Sequence, residues 1–506
     1  MSEKAKNKYN KLLWNTMILG LGVFGSKILV FLMMPLYTGI LSPEEYSLAD
    51  LIAQTSNLLI PLACVGISDG VFRFSMDREA NRPAVLASGM SVLLVSSAVF
   101  LLLSPLIGLV NYFSSYAWLI ALYVLMANFH TLLAQYVRAC NRTRLFSLQG
   151  ILNTVFVIAL NLLFLVVFRM GVEGYVLSVV IADGLTAIFL LWFGGVFREI
   201  HFRAARLSLM KKMLRYSLPL IPATVFWWIT GVSDRYMVTY YCGGTTNGLY
   251  SAAYKIPTLL TLVSGVFMEA WQYSAVSESN VGEKRETERF FGNVFTSYQS
   301  LLFCACTCII ALSQPLISIL CADSYAEAWR YVPILTLSAV FSGFTSFVGS
   351  IYLVKKKSVL TFLTAMSGAL VNIFLNFLFI PKLGAQGAAI ATVASYMVVF
   401  LIRVVNTEKR YVKICTHPLH MGINFLLLIG QTVLLLYGNP RLIPISQVIF
   451  CLLVLSVNAS FVIKGIRLIF GAWCRPRRRA PSGNTQPLTG KSSAENEKKE
   501  QKKHKT

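Results

Sequence analysis

Charged residues are scarce in this chain, and acidic residues are scarcer than basic ones. Only 13% of its 506 residues are charged, whereas 56% are hydrophobic. Soluble globular proteins carry about 25% charged residues, so this composition excludes an ordinary soluble domain. Lys and Arg number 45 against 22 Asp and Glu, a formal net charge of +23. Because these cations are spread over loops between hydrophobic segments, they indicate an integral membrane protein rather than a nucleic-acid-binding one.

The usual signatures of catalysis are also missing. The sequence contains no glycine-rich phosphate loop, no cluster of metal-ligand residues and no nucleophile triad. We therefore predict no catalytic residue, no metal and no cofactor, so the energy source would be an ion gradient, the membrane potential or a substrate gradient. The ten cysteines lie almost entirely within or at the ends of hydrophobic segments. They are interpreted as small packing residues rather than as a disulfide framework.

Hydrophobic segments long enough to cross a membrane dominate the chain. A helix needs about 20 residues to span the hydrocarbon core of a bilayer, and most of fourteen segments reach that length. We therefore predict an all-α integral membrane protein with about fourteen transmembrane helices. The predicted spans are Leu12–Thr38, Leu48–Ile67, Ala84–Leu109, Tyr116–Ala139, Leu145–Phe168, Val172–Phe197, Ser217–Tyr241, Tyr250–Ser274, Phe290–Leu320, Tyr331–Val354, Ser358–Ile380, Gly384–Val405, Leu419–Tyr437 and Ile443–Phe470.

Basic residues favour alternate loops of this series. All but seven of the 45 Lys and Arg residues lie at the N-terminus, on or beside the even-numbered loops, or toward the C-terminal end. Four of the seven lie on odd-numbered loops, and the other three, Lys27, Arg235 and Lys255, lie inside spans. Loops rich in Lys and Arg stay on the cytoplasmic side of a membrane. We therefore predict that both termini are cytoplasmic.

The first six spans resemble the next six. Asn161–Phe164 with Gly171–Gly174 parallels Asn376–Phe379 with Gly384–Gly387. A six-helix unit returns to the side on which it started, so the two copies share an orientation. We predict two six-helix lobes related by a pseudo-two-fold axis along the membrane normal, as in parallel transporter repeats. Two lobes with a cleft between them can rock against each other.

This duplication defines the predicted domains. The last two spans lie outside it, and the chain that follows them is too polar to bury a core. The predicted boundaries are a basic cytoplasmic N-terminus at 1–11, an N-terminal six-helix lobe at 12–200, a basic cytoplasmic linker at 201–216, a C-terminal six-helix lobe at 217–412, two additional helices at 413–474 and a disordered basic cytoplasmic tail at 475–506.

Ionisable side chains at membrane depth are costly and usually face a water-filled cavity or a partner. Lys27 lies near the middle of the first span, and it is expected either to contact an anionic substrate in the cleft or to pair with a buried carboxylate. Asp183 is central in the sixth span. It is a candidate partner of Lys27, a candidate protonatable coupling site, or a polar contact between helices. His130 is interpreted as a packing residue with one hydrogen bond.

Further candidates lie in the fourth, seventh and eighth spans. Adjacent residues on a helix point about 100° apart, so one of Asp234 and Arg235 is expected to face the cleft while the other reaches the external interface. For Lys255, near the start of the eighth span, substrate contact and snorkelling to the interface stay open. Glu269 is a second coupling candidate, a ligand of sugar hydroxyls, or part of an interfacial aromatic belt. Arg138 obeys the topology rule and is a candidate to gather a diphosphate head group.

Two stretches of the sequence are distinctive. One comprises Ser217–Pro222, Ser233–Tyr236 and Gly248–Pro257, and the other comprises Gly25–Tyr37 and Leu41–Tyr46. They resemble the seventh and eighth spans, and the first span with its external turn, of bacterial polysaccharide flippases, the O-antigen and capsule translocases. The resemblance extends over nearly all of the predicted spans.

This resemblance implies membership of the multidrug, oligosaccharidyl-lipid and polysaccharide exporter superfamily. The implied activity moves an undecaprenyl-diphosphate-linked oligosaccharide from the inner to the outer leaflet of the bacterial cytoplasmic membrane by alternating access, for surface polysaccharide assembly. Lys27 and Lys255 would match positions where relatives line the cavity with cations. The implied partners are this lipid-linked substrate, membrane lipids and other polysaccharide-assembly proteins, with no nucleic acid.

Two other functions stay open. A cation-coupled multidrug or small-molecule antiporter of the same superfamily would rely on acidic coupling residues such as Asp183. A membrane glycosyltransferase or ligase is a more distant alternative, because external connections such as Asn111–Ser115 and Gly243–Gly248 are too short to form a catalytic domain. The chain is therefore predicted to be a transporter and not an enzyme.

Overall fold

The computed structural model of this protein describes residues 31–77, 79–278, 284–355, 357–414 and 417–474. Lys27, the basic N-terminus and the predicted C-terminal tail lie outside these ranges. The backbone of Glu269 is described as helical, but its side chain is not. Predictions that rest on these residues therefore stay predictions.

The chain divides into two compact units. The first unit, Met1–Val462, contains all of the described helices except the end of the last one. The second unit, Ile463–Thr506, is described only where the last helix continues to Cys474.

The first half of the chain folds into helices that begin at recognisable sequence signals. Ser42 and Glu45 form a capping box, and Pro43 occupies the first helical position behind it. Asn81 caps a later helix through its side chain in the same way. The helices are α1 Met34–Ile40, α2 Pro43–Ala63, α3 Ile67–Ser75, α4 Arg82–Leu103, α5 Ala117–Ala139, α6 Thr143–Asn161, α7 Gly171–Trp192 and α8 Leu207–Ser217, with a π-helix at Leu162–Val167 after α6.

The second half is also helical, and no strand occurs in the part of the chain that the structure describes. Helix α16 packs closely on α14 and α15, and α15 packs closely on α9. The helices are α9 Ile221–Cys242, α10 Gly244–Lys255, α11 Thr258–Glu278, α12 Lys284–Ala311, α13 Ser313–Leu320, α14 Val332–Val354, α15 Ser358–Leu383, α16 Ala385–Arg410, α17 Pro418–Tyr437 and α18 Ile443–Cys474.

The prediction of an all-α membrane protein is confirmed. Ten helices among the described residues are long and apolar enough to cross a membrane, and an eleventh forms if the bent pair α2 and α3 counts as one span. These eleven match predicted spans two to six and nine to fourteen. Helix α9 has the length of a span, with 22 residues, but Asp234 and Arg235 within it leave it less apolar than those helices.

Three of the predicted spans are broken rather than continuous. The second span bends by 58° between α2 and α3, just after Pro61. The eighth separates into α10 and α11 at Ile256 and Pro257. The ninth separates into α12 and α13 at Leu312. Hydropathy reports composition and does not detect such breaks, whereas proline removes a backbone hydrogen bond and interrupts a helix locally.

The two copies of the repeated motif share a positive-φ glycine and a closely packed glycine three residues later. Gly171 begins α7 and Gly384 immediately precedes α16. Both have a positive φ, 58° and 60°, which favours glycine. Gly174 and Gly387 then approach the preceding helix, since an added Cβ would lie 3.3 Å and 2.5 Å from the carbonyl oxygen of a Phe there. This likeness supports the predicted duplication.

The two halves meet at one end of the bundle. Helix α2 packs on α9 and α10, and α1 packs on α13. This end carries the turn Leu41–Pro43 between α1 and α2, and we call it the turn end. At the opposite end, which we call the linker end, α8 packs on α3, where an added Cβ at Gly70 would lie 2.9 Å from Ser217 Oγ. The segment predicted as a basic linker at 201–216 is therefore largely helical and attached to the first half.

Candidate functional site

Helix α2 carries a carboxylate into the interface between the two halves. Asp50 lies two turns after the N-cap and is 3% exposed. Side chains three and four residues apart share a helix face, so Ser47, Asp50 and Gln54 form a polar stripe along α2. Ser47 and Asp50 both contact helices of the second half.

Asp50 is the acceptor of a set of contacts from across this interface. Arg235 Nη1 lies 2.6 Å from Asp50 Oδ2, and Ser251 Oγ lies 3.0 Å from the same oxygen. Lys255 Nζ lies 3.8 Å from Asp50 Oδ1, which also accepts from Gln54 Nε2 at 3.4 Å. One carboxylate of the first half therefore faces both cations that the second half carries at this level.

Asp234 forms the second acidic position of the same cluster. Its Oδ1 accepts from the backbone N–H of Arg235 at 2.9 Å, and its Oδ2 accepts from Tyr250 at 2.6 Å and Thr392 at 3.2 Å. The Arg235 guanidinium also lies 4.5 Å from the centroid of the Tyr254 ring. We call this group the Asp50 cluster; it comprises Asp50, Asp234, Arg235, Tyr250, Ser251, Tyr254 and Lys255.

The Asp50 cluster is electrically balanced and almost closed to solvent. Two carboxylates face one guanidinium and one ammonium, which offsets part of the cost of removing charges from water. Asp50, Asp234 and Arg235 are at most 5% exposed. The Lys255 side chain, by contrast, is 34% exposed while its partner Asp50 is 4% exposed. Lys255 is therefore the charged side chain of this cluster that is most open to solvent.

The structure brings three predicted site residues together and corrects one expectation about them. Asp234, Arg235 and Lys255 belong to one cluster. The expectation that either Asp234 or Arg235 reaches the external interface is wrong, because both are buried and share a hydrogen bond. For Lys255, the contact with Asp50 at the interface between the halves favours the interior over snorkelling.

Sequence reasoning missed Asp50, the residue that joins the halves. It lies inside the second predicted span, so the rule that ionisable groups at membrane depth have partners would have identified it. The partner itself could not be identified, because Asp50 and Arg235 are 185 residues apart in the sequence.

Contacts at the turn end close the interface around the Asp50 cluster. Asn247 Nδ2 donates to Ser47 Oγ at 2.8 Å. The Tyr325 hydroxyl donates to the Leu41 carbonyl at 2.9 Å, and burial raises the pKa of this phenol above its ordinary value, so it stays a donor. Gly248 packs so closely that an added Cβ would lie 1.8 Å from the Pro43 carbonyl oxygen. We call these contacts the turn-end seal.

Asp183 lies in a second polar cluster, within the first half. His130 Nδ1 lies 2.8 Å from Asp183 Oδ1, and His130 Nε2 lies 2.6 Å from Gln149 Oε1. Asn153 donates to the same Asp183 oxygen at 2.8 Å and lies 3.3 Å from Thr186 Oγ1. We call these five residues the His130 cluster. The interpretation of His130 as a packing residue with one hydrogen bond is wrong, because both ring nitrogens have partners.

The predicted cation at the cytoplasmic mouth lies apart from both clusters. Arg138 is exposed, and its guanidinium lies 5.2 Å and 5.5 Å from the ring centroids of Phe72 and Phe146. Nearby, Arg142 pairs with Glu199, which also accepts from Tyr136. The structure therefore does not bring Arg138 together with Arg235 and Lys255.

Sequence reasoning also missed a buried arginine inside the twelfth predicted span. Arg403 of α16 is 2% exposed and donates to Thr364 Oγ1 and to the Thr345 carbonyl. Its guanidinium also lies 5.2 Å from the centroid of the Trp227 ring. These contacts join α16 to α14, to α15 and to the N-terminal part of α9. Arg403 is therefore a structural residue of this half.

The described residues provide no group of three or more His, Cys, Asp or Glu side chains arranged to hold a metal ion. The chemistry of the site is therefore that of charged and hydrogen-bonding side chains. Arginine and lysine side chains bind carboxylates and phosphates, and here Asp50 occupies them.

The sequence profile of the polysaccharide biosynthesis protein family matches residues 12–272, about half of the chain. The chain belongs to this family. No curated protein gives a match. Among solved structures, the lipid II flippase MurJ in an inward closed conformation is 16% identical, covers 91% of this chain and 100% of its own, and has a TM-score of 0.65.

Multidrug transporters share the fold as well. An inward-facing multidrug resistance MATE family transporter of the MOP superfamily is 15% identical over 76% of this chain and 96% of its own, with a TM-score of 0.64. A MATE structure in a straight conformation is 15% identical over 79% and 95%, with a TM-score of 0.57. This membrane protein therefore belongs to the polysaccharide biosynthesis protein family and has the fold of these transporters.

Proposed function

We propose that this member of the polysaccharide biosynthesis protein family flips an undecaprenyl-diphosphate-linked oligosaccharide from the inner to the outer leaflet by alternating access. The observation that carries this proposal is the Asp50 cluster. In it, two cations of one half are held by a carboxylate of the other half, at the interface that alternating access has to open.

The diphosphate of the substrate can form ion pairs with the two cations that pair with Asp50 in this structure. Arg235 and Lys255 both contact the Asp50 carboxylate, on its two different oxygens. Arg235 Nε is buried without a hydrogen-bond partner among the described atoms, so the guanidinium keeps a donor for a phosphate oxygen. A diphosphate carries more charge and more acceptor oxygens than one carboxylate, and it therefore competes with Asp50 for both cations.

Exchange of the counter-ion would then couple binding to movement of the halves. When phosphate oxygens take over Arg235 and Lys255, the ion pairs that cross the interface break. The α2 surface then loses its ion pairs with α9 and α10, which weakens the interface and allows the turn-end seal to open. Once the substrate leaves, Asp50 recovers its partners and the seal closes again.

The distribution of basic residues supports one direction for this cycle. The linker end carries the cation-rich segment around α8, and loops rich in Lys and Arg stay in the cytoplasm. On this basis the substrate head enters from the linker end and leaves at the turn end. The polyprenyl tail stays in lipid while the sugars pass between the halves.

Translocation in proteoliposomes tests the proposal. Purified full-length protein is reconstituted with a fluorescent undecaprenyl-diphosphate oligosaccharide, and its transfer between leaflets is followed with an impermeant quencher. We expect Arg235→Gln and Lys255→Gln to lose at least about tenfold in rate, since each removes one phosphate-binding charge. Lys382→Gln, which removes an exposed cation outside the cluster, is the matched control and should keep the wild-type rate.

The same vesicles separate the flippase from an antiporter of the same fold. Wild-type protein that moves no lipid-linked oligosaccharide but expels cationic dyes would overturn the proposal in favour of a multidrug transporter. Flipping that is undiminished in both Arg235→Gln and Lys255→Gln would remove the cluster from the mechanism.

A further inference from the structure

Aromatic side chains join the two halves on the linker side of the Asp50 cluster. The indole N–H of Trp228 on α9 donates to the Gln54 carbonyl of α2 at 3.0 Å. The Tyr236 hydroxyl, on the same helix as Trp228, lies 2.7 Å from Thr55 Oγ1 of α2. The two rings also contact each other, with centroids 5.6 Å apart. We call Trp228 and Tyr236 the linker-side pair.

The linker-side pair differs in exposure from the aromatic residues that join the halves at the turn end. Tyr46 and Tyr325, whose rings meet edge to face across the interface, are at most 1% exposed. Trp228 and Tyr236 are only half-buried. Part of the surface of the linker-side pair is therefore open while the turn end is closed.

The linker-side pair also lies next to the cations that are proposed to bind the diphosphate. Tyr236 directly follows Arg235 on α9. Its hydroxyl lies 3.4 Å from the carbonyl of Leu51, the neighbour of Asp50. Trp228 precedes Arg235 by about 10 Å along the helix axis, toward the linker end. A head group whose diphosphate pairs with Arg235 therefore has its nearest sugars within reach of both rings.

Separation of the halves at this level would leave partners missing on α9 rather than on α2. The Gln54 carbonyl lies in the middle of α2 and keeps its helical hydrogen bond when the indole departs. Thr55 donates to the Leu51 carbonyl of its own helix at 2.7 Å, so it too stays bonded. The groups that lose partners are the Trp228 indole N–H, the Tyr236 hydroxyl and the faces of both rings. A ligand that replaces α2 has to form hydrogen bonds and also cover flat apolar surfaces.

A sugar ring meets both requirements. A pyranose carries hydroxyl groups around its edge and C–H groups on its faces, so it can bond to polar tips and pack on aromatic rings. Trp and Tyr side chains combine a large apolar ring with one polar tip. Water would satisfy the tips but leave the rings exposed, whereas a lipid chain would cover the rings but leave the tips without partners. The chemistry of the pair therefore favours a carbohydrate over either.

We infer that the linker-side pair is the binding surface for the sugars nearest the diphosphate of the transported glycan. The inference rests on the proposed function and adds a division of roles to it. Arg235 and Lys255 bind the diphosphate, whereas the linker-side pair stacks on sugar rings and donates to their hydroxyl groups. Contacts between α9 and α2 are exchanged for contacts with sugars in the same step in which Asp50 is exchanged for phosphate.

Binding of two lipids to the full-length protein separates sugar recognition from diphosphate recognition. One lipid is undecaprenyl diphosphate, which carries no sugar, and the other is undecaprenyl diphosphate linked to a tetrasaccharide of glucose. Their dissociation constants are measured by native mass spectrometry of the purified protein in detergent. Because stacking depends on the pyranose ring rather than on one particular sugar, we expect the wild type to bind the glycosylated lipid more tightly, by about tenfold.

The variants remove one kind of recognition at a time. Trp228→Leu and Tyr236→Leu should each lose at least about threefold of the preference for the glycosylated lipid. Both should bind the sugar-free lipid as the wild type does, which also shows that they are folded. Arg235→Gln should weaken the binding of both lipids and keep the preference. Trp227→Leu is the matched control and should keep the wild-type preference, because Trp227 stacks on Tyr396 within the second half.

The outcomes keep the two proposals apart. Equal binding of the two lipids by the wild type would overturn sugar recognition and leave the flippase standing. An unchanged preference in both Trp228→Leu and Tyr236→Leu, or the same loss in Trp227→Leu, would overturn the assignment to the linker-side pair. Binding of neither lipid by the wild type would overturn the proposed function, and the inference would fall with it.

Discussion

The Asp50 carboxylate stabilises two cations that come from the other half of the chain. Burying a charge is expensive, and a buried pair is tolerated when its geometry and its remaining hydrogen bonds are good. Asp50 meets this condition through Arg235, Ser251 and Lys255. Removing one partner of a buried pair destabilises the protein far more than replacing both partners by apolar residues, because the remaining charge is then buried without a counter-ion.

Asp50→Asn should therefore destabilise the protein strongly. The amide can still accept a hydrogen bond from Arg235, but it carries no charge, so the guanidinium stays buried without a counter-ion at this contact. We expect a loss of about 3–5 kcal/mol, seen as a lower thermal unfolding midpoint in nanodiscs. Ser56→Ala is the matched control, since Ser56 is buried on the same helix and bonds only to Ile52. Equal midpoints for the two variants would contradict the prediction.

The pair should also show coupling in a double-mutant cycle. Arg235→Gln alone leaves Asp50 with the more distant Lys255, whereas Arg235→Gln combined with Asp50→Asn removes both charges of the closest contact. We expect the double variant to be more stable than the sum of the single effects predicts, by about 1–3 kcal/mol. Strict additivity of the unfolding free energies would show that the two side chains do not interact.

Deep charged residues were predictable from the sequence, and their partners were not. Asp234, Arg235 and Lys255 were identified because an ionisable residue at membrane depth is costly and usually faces water or a partner. The carboxylate that contacts both Arg235 and Lys255 is that of Asp50, which lies 185 residues before Arg235. A single sequence contains no record of which helices meet, so the pairing required coordinates.

Close packing of helices at the turn end depends on glycine. Gly248 of α10 meets the first turn of α2, where a Cβ would be 1.8 Å from the Pro43 carbonyl oxygen. That oxygen belongs to the backbone and cannot move as a flexible side chain would. Any side chain at position 248 therefore has to separate the two helices.

Gly248→Ala is accordingly expected to weaken the turn-end seal. Overpacking at such a contact costs about 1–3 kcal/mol, and here the cost falls on the closed state of the seal. Spin labels introduced at Leu109 and Tyr240, both exposed, should report a longer or broader distance across the turn end. Gly39→Ala is the control, because nothing lies within 4 Å of a Cβ there. An unchanged distance distribution in Gly248→Ala would refute the expectation.

Helix identity was predicted well from hydropathy, but helix continuity was not. Spans two to six and nine to fourteen have counterparts among the apolar helices and the bent pair. Pro61 indicates an interruption of the second span, and the structure has a 58° bend just after it. The break at Pro257 went unpredicted, because hydropathy gives an interrupted helix and a continuous one the same composition. Both breaks flank helices of the Asp50 cluster, α2 in one case and α10 in the other, so they lie where the halves would move in the proposed mechanism.

Among the described residues, polar contacts and close packing join the two halves at the turn end, where a transported head group would leave in the proposed mechanism. The ion pairs of Asp50, the Asn247 and Tyr325 hydrogen bonds and the Gly248 contact all lie between the two halves. The fold class and the alternation of basic loops followed from composition. The location of the turn-end seal could not be predicted from composition. The seal forms between two surfaces whose residues are far apart in the sequence.

A disulfide across the turn end should stop transport reversibly. An added Cβ at Gly244 would lie 3.1 Å from Cγ of Glu44, and Sγ of a cysteine at position 44 would occupy about the place of that Cγ, so the two side chains are close enough to meet. Glu44→Cys combined with Gly244→Cys is therefore expected to cross-link under mild oxidation, and flipping should cease because the halves can no longer separate there. Reductant should restore the rate, and neither single variant should respond to oxidant. A cross-linked double variant that still flips substrate at the wild-type rate would mean that the turn end does not open during transport, and the role of Asp50 as a releasable tie between the halves would fall with it.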